Sequence, residues 1–183
     1  MEWNMLVDSE IVSLSTPEKF LAFSEAYLDS AVRLCSVLAR STKKATYARG
    51  TVVLYLTCHA TELFLKGAIL KKAPEEKIGN THDLESLYNR YQKLYPGKKY
   101  DLEVPLTFEE PDFTGIEPDK VKELKAIIKM IKENNPQDQR YRYPQNKNLE
   151  LWNGPAGIEP SSFLTQLKQL RERFDCVSHH ILP

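Results

Sequence analysis

Three residues that hold or exchange protons, His59, Glu62 and Lys66, recur at helical spacing inside the most apolar part of this chain, TVVLYLTCHATELFLKGAILKK over 51–72. At about 100° per residue they share one narrow stripe with Tyr55. Leu56, Leu63 and Leu70 lie on one side of the stripe, and Cys58, Leu65 and Ile69 on the other. A polar row within an apolar arc costs free energy unless its members bond one another or bind something else. Mutual bonding is within reach, because His59 and Glu62 are i,i+3 and Glu62 and Lys66 are i,i+4. The row therefore reads either as a bonded strip where helices cross or as a pocket or interface around His59 and Glu62. A nucleotide or another small ligand would suit the second case. Either way, Glu62 is expected to contact Lys66 or His59 in a mostly buried setting.

A second constellation closes the chain, RERFDCVSHH. Arg173 and His180 are seven residues apart and fall on the same flank of a helix. His179 projects to the other side, near Lys168, Glu172 and Asp175, and stands only as a substitute. A guanidinium can hold a scissile phosphate and an imidazole can move a proton near neutral pH, so Arg173 with His180 would suit metal-independent RNA cleavage. The plainer reading is a solvated flank on a fraying last turn. Arg140, Tyr141, Arg142 and Tyr143 alternate charge with rings, as single-strand binders do, which makes Arg140, Arg142 and Tyr143 binding candidates. Tyrosines covering a bundle explain the same pattern. His82, in THDLESLY, is read as a local residue at a helix start.

Metal chemistry finds little here. A bundle di-metal site uses Glu followed by His three residues later, with more glutamates on facing helices. In this chain the order is reversed, and neither HExxH nor CxxC occurs. No Gly-rich phosphate loop and no Ser-His-Asp arrangement is present. No metal and no cofactor is expected.

Helices must position these groups. Ser15 with Glu18 forms a capping box, or Thr16 caps with Pro17 behind it, for a helix carrying Phe20, Tyr27, Ala31, Leu34 and Leu38 up to Arg40. The second helix starts near Ala45 and ends near Ala73. It has no wide polar face and so belongs in the middle of a bundle. The third opens at Asn80 or Thr81, with Asp83 at the positive end of its dipole, and buries Leu84, Leu87, Tyr88, Tyr91 and Leu94. An excursion over 98–117 follows, with an acidic run that includes Glu109, Glu110 and Asp112. The fourth helix, 118–133, turns Val121, Leu124, Ile128 and Ile131 inward and stops at Asn134-Asn135-Pro136. A second excursion spans 137–160, where Tyr141, Tyr143 and 149–152 suggest a short hairpin or ordered loop. The last helix, after Pro160-Ser161-Ser162, carries the seam Phe163, Leu167, Leu170, Phe174, Val177 and Ile181. The expectation is an all-α, up-and-down bundle of about five main helices, forming one domain over 1–183.

Bulk properties set limits. Lys plus Arg and Asp plus Glu are 25 each, so no global field draws the chain to nucleic acid or anionic membrane, and any such contact must be local. The opening MEWNMLVDSE lacks the basic and apolar regions of a secretory signal. No run approaches ~20 uninterrupted apolar residues, so no membrane span is expected. Three cysteines, Cys35, Cys58 and Cys176, read as core fillers in a reducing compartment, which makes cytoplasm the expected location.

LTCHATELFLKGAIL, followed by THDLESLYNRY, resembles the HEPN superfamily (higher eukaryotes and prokaryotes nucleotide-binding domain). His59, Ala60, Glu62 and Lys66 match its H-A-x-E-x-x-x-K helix, and His82, Asp83 and Leu84 match the opening of the next. Arg142, Tyr143 and Pro144 before the last helix are similar to a further element of such sequences. The resemblance implies a helical bundle, often a homodimer, of toxin–antitoxin, phage-defence and RNA-processing systems. It implies RNA, a nucleotide, or an antitoxin-like or other protein as partner. Its ribonucleases pair an Arg with a His across four to six intervening residues, a spacing met by Arg173 with His180, six between, or with His179, five between. Phe174 stands where they commonly have a polar residue, and non-catalytic members are common. The resemblance thus implies a non-catalytic module binding RNA or a protein, with the endoribonuclease as the alternative.

Overall fold

The computed structural model describes residues 7–78, 81–105, 113–134, 137–152 and 158–182. Glu109, Glu110, Asp112, the Asn80 start and the Asn135-Pro136 stop lie outside the described residues, as does the side chain of Ile131. The helices are α1 (Ser9–Val12), α2 (Thr16–Ala39), α3 (Tyr47–Lys72), α4 (Leu84–Leu94), α5 (Pro118–Asn134), α6 (Gln137–Arg140) and α7 (Pro160–Ile181). A 3₁₀ turn, Lys98–Tyr100, sits between α4 and α5. The chain is an all-α bundle. α3 is its central element, packing on α2, α4, α6 and α7, while α2 also packs on α7.

α2 begins at the Ser15 cap, whose backbone N–H donates to the Glu18 carboxylate at 2.7 Å. The Ser15 hydroxyl and then this backbone N–H hold the Glu18 carboxyl below its ordinary range. α3 follows after a short connection and buries residues all round its circumference, from Val53 and Leu54 through Phe64 and Leu65 to Ile69. Its hydroxyls are satisfied internally: Thr57 donates to the Val53 carbonyl at 2.8 Å and Thr61 to the Thr57 carbonyl at 2.9 Å. By length and a mean hydropathy of 1.3, α3 is long and apolar enough to cross a membrane. The unbroken-run criterion missed this, because the polar row interrupts the run without lowering the average much. Since 72% of that window is buried inside the bundle, a central core position accounts for its composition.

Gly67 marks a close approach of α2 to α3. A Cβ there would stand 3.1 Å from Leu21 Cγ, from Phe20 Cβ and from the Pro17 carbonyl oxygen. Two of these belong to side-chain roots or branches and one to backbone, so none can swing aside. Gly67→Ala gains about 1 kcal/mol of helix propensity but costs about 1–3 kcal/mol by overpacking. The expected outcome is a net loss of up to about 2 kcal/mol, read by urea denaturation.

The α7 seam, Phe163, Leu167, Leu170, Phe174, Val177 and Ile181, is buried within this one chain. The seam therefore cannot also pair with a second copy, and any dimer must use another face. α7 starts at Pro160 with Glu159 as its cap, accepting from the backbone N–H of Ser161 and Ser162 at 3.0 and 2.6 Å. The first part of the 98–117 excursion is held rather than loose. Tyr91 and Tyr88 donate to the carbonyls of Tyr100 and Leu102, and Leu102 is buried. α4 opens later than the expected Asn80 or Thr81, with Asp83 as its cap and Leu84 as its first residue. α5 is poorly covered over its described side chains: Val121 and Ile128 are half-buried, while Leu124, Ile127 and Met130 are exposed.

Candidate functional site

Glu62 is the centre of the polar row. It is 6% exposed, and its Oε1 accepts from Lys66 Nζ at 2.7 Å, one turn along α3. The same oxygen meets His82 Nδ1 at 3.0 Å, and Oε2 lies 3.8 Å from His59 Nδ1. At that length the His59 contact is an electrostatic one, too long for a hydrogen bond. Burial by itself raises the Glu62 carboxyl. The contacts with His59 and Lys66 and the charges of Lys66 and His82 outweigh it and bring the carboxyl down to about 2. Glu62 is thus a fixed anion at neutral pH and cannot serve as a general acid.

Its surroundings are rings and one guanidinium. His59 is held edge-on by Tyr27, with centroids 4.5 Å apart, and lies parallel to Tyr55 at 5.8 Å. Arg142 stands over the Tyr55 ring, 5.3 Å from its centroid, and its Nη2 donates to the Tyr55 hydroxyl at 3.4 Å. That bond supports the charged guanidinium and raises its affinity for its proton. Tyr55, Cys58, His59, Glu62, His82 and Arg142 line a shallow cleft of about 10 Å³. This holds roughly one water, whereas ligand pockets run to about 300–1,000 Å³. An enclosed nucleotide does not fit such a space.

Of the row, the structure brings together His59, Glu62 and Lys66 and adds His82 and Arg142. Sequence reasoning gave His82 only a local role. The chain returns to α3 after residue 72 and sets the residue just before the Asp83 cap against Glu62, and no periodicity within either helix shows that. A lone imidazole ahead of a cap, opposite a buried carboxylate, was the available signal. Arg140 ends α6 and is half-buried where α6 packs on α3. Tyr143 is 54% exposed, and its carbonyl accepts from the Trp152 indole at 2.7 Å.

The Arg173–His180 pair is placed differently. Arg173 donates through Nε to the Asp101 carbonyl and through Nη2 to the Lys98 carbonyl at 2.7 Å, with Nη1 3.9 Å from Cys176 Sγ. Two of the three guanidinium nitrogens hold the 98–101 segment against α7, and the third faces Cys176 on α7 itself. His180 Nδ1 lies 2.7 Å from the Cys176 carbonyl, and its ring meets Tyr100 edge-on at 6.3 Å. His179 makes the equivalent contact with Asp175. Among the described residues, no three His, Cys, Asp or Glu side chains gather as a metal site. No family model, curated protein or solved structure matches this chain.

Proposed function

We propose that this chain is a HEPN-like helical module that binds single-stranded RNA across the Arg142–Tyr55–His59 face. The observation that carries the reading is the ring cluster: Tyr55 meets the Arg142 guanidinium and lies parallel to the His59 imidazole, with His82 on the shared carboxylate Glu62 and Tyr143 exposed next in sequence to Arg142. The negative charge that would repel a phosphate is already neutralised, because Glu62 is bonded to Lys66. Flat groups offer bases a stacking surface, and the cations offer phosphates a partner. The residues behind the family resemblance, His59, Glu62, Lys66 and His82, converge on this one carboxylate, which supports the same reading. A binding role suits the geometry better than cleavage by Arg173 and His180, since Arg173 is occupied with backbone carbonyls. A toxin–antitoxin or defence setting, a cytoplasmic location and an antitoxin-like partner belong to this proposal through the resemblance alone.

Fluorescence anisotropy with a labelled single-stranded oligoribonucleotide tests the reading. Arg142→Ala with Tyr143→Ala is expected to weaken binding at least about tenfold, with Arg173→Ala within about twofold of the parent. About two phosphate contacts imply a slope near −1.4 for log K against log salt. Binding that is undetectable, or unchanged by the Arg142 and Tyr143 substitutions, would remove the proposal.

A further inference from the structure

A groove of about 720 Å³ is lined by α4, residues 101–105 and α7. Small-molecule sites run to about 300–1,000 Å³, so this one has the size for a ligand. It shares no lining residue with the cleft around Glu62. The 101–105 wall is held from behind. Tyr88 donates to the Leu102 carbonyl at 3.0 Å, Leu102 is buried, and Arg173 donates to the Asp101 carbonyl. Arg173 itself does not line the groove, and none of these bonds uses a carboxylate of the wall. The groove is therefore preformed.

The chemistry of the wall is one-sided. Asp101 has extended backbone, and with Leu102 turned into the core, Asp101 and Glu103 both line the groove. At ~3.3 Å per residue their backbones stand about 7 Å apart. Glu85, in the first turn of α4, adds a third carboxylate. Among the described residues that line the groove, none is Lys, Arg or His. Asn89 and Gln92 on α4 and Gln166 and Gln169 on α7 each bring a carbonyl oxygen able to accept a hydrogen bond. The Tyr88 ring, Val104 and Pro105 put apolar surface among these acceptors. Burial first, and then the Asp101 charge, raises the Tyr88 phenol, which places that carboxylate beside the ring.

These features define a ligand. Carboxylates without a counter-charge call for a cation, and the surrounding amide oxygens call for one with several N–H donors. The apolar strips call for methylenes between its charges. A bare divalent ion needs several oxygens converging on one point, and among the described residues no three such side chains gather. We infer that the groove between α4 and α7 binds a linear polyamine, its ammonium groups donating to Glu85, Asp101 and Glu103 and its methylenes lying over Tyr88 and Val104. Spacers of three or four methylenes match the separation of Asp101 and Glu103. The site stands independently of RNA binding.

Isothermal titration calorimetry of the full chain with spermidine, at about 50 mM salt, tests it. Saturable binding with Kd below about 1 mM is expected. Asp101→Asn with Glu103→Gln keeps the shape of the wall and should weaken binding at least about tenfold, with the melting temperature unchanged. Gln166→Lys sets an ammonium in the groove and should do the same. Arg142→Ala with Tyr143→Ala should leave spermidine binding within about twofold, which separates this site from the RNA face. Absence of saturable binding overturns the inference, as does binding that neither groove variant moves. Displacement of spermidine by an equal concentration of magnesium ion overturns it too, since that marks a diffuse acidic surface. A trilysine peptide bound more than about tenfold tighter than spermidine would assign the groove to a basic protein segment, and the polyamine assignment would fall.

Discussion

Glu62→Leu is expected to destabilise the protein by about 3–5 kcal/mol, because it leaves the Lys66 ammonium buried without its counter-charge. Glu62→Gln keeps an acceptor for Lys66 and His82 and should cost clearly less. The double variant Glu62→Leu, Lys66→Met removes both charges and should return to within about 2 kcal/mol of the parent, as buried pairs replaced by apolar groups commonly do. Guanidinium denaturation of the four proteins reads the series. Equal and negligible losses for Gln and Leu would mean that the row has no structural weight. The same carboxylate sets an acid response. Its folded value of about 2 lies below the ordinary 4.5, so its stabilisation is complete above about pH 4.5 and is lost as pH falls toward 2. The loss over that window is on the order of 3 kcal/mol, and Glu62→Gln should flatten it.

Phe64→Ala and Phe174→Ala should each cost about 3–5 kcal/mol, through lost burial and the cavity left behind. Phe64 is 1% and Phe174 4% exposed, and their rings stack with centroids 3.9 Å apart at 19°. Tyr91 meets Phe64 edge-on at 6.4 Å, so this triple contact is where α3, α4 and α7 join. Because the two phenylalanines share one contact, the double variant should cost less than the sum by about 0.5–1.5 kcal/mol. Phe64→Leu and Phe174→Leu give a milder cycle if the alanine variants do not fold. Strict additivity in that cycle would show that the stack contributes no more than its separate burials.

The helices were legible in sequence because their signals are local. Ser15 with Glu18 marks the α2 start, the uniform burial of α3 follows from its lack of a polar face, and the seam of α7 is a simple four-three spacing. The Glu62–Lys66 contact was legible for the same reason, since one turn of helix joins its partners. What stayed hidden depends on where the chain returns. The contact of His82 with Glu62 and that of Arg142 with Tyr55 cross 20 and 87 residues. The engagement of Arg173 by the carbonyls of Lys98 and Asp101 crosses more than 70. On a helical wheel Arg173 and His180 look like a matched pair, because the wheel omits the loop that occupies the guanidinium. α5 shows the converse. Its apolar period is sound, but periodicity cannot tell which face has a neighbour to meet.

The docking of α7 on α2 has a consequence for synthesis. α2 and α3 emerge early and can pair at once, but the side of α2 that receives α7 waits for residues up to Ile181. At about 5–20 residues per second, the roughly 140 intervening residues take on the order of 7–30 s to arrive. Through that interval the apolar strip around Cys35 has no cover, and the Asp29 carboxylate lacks its Arg171 partner. The nascent chain therefore passes through a half-built state with an open apolar trough, the form in which a ribosome-bound chaperone would meet it.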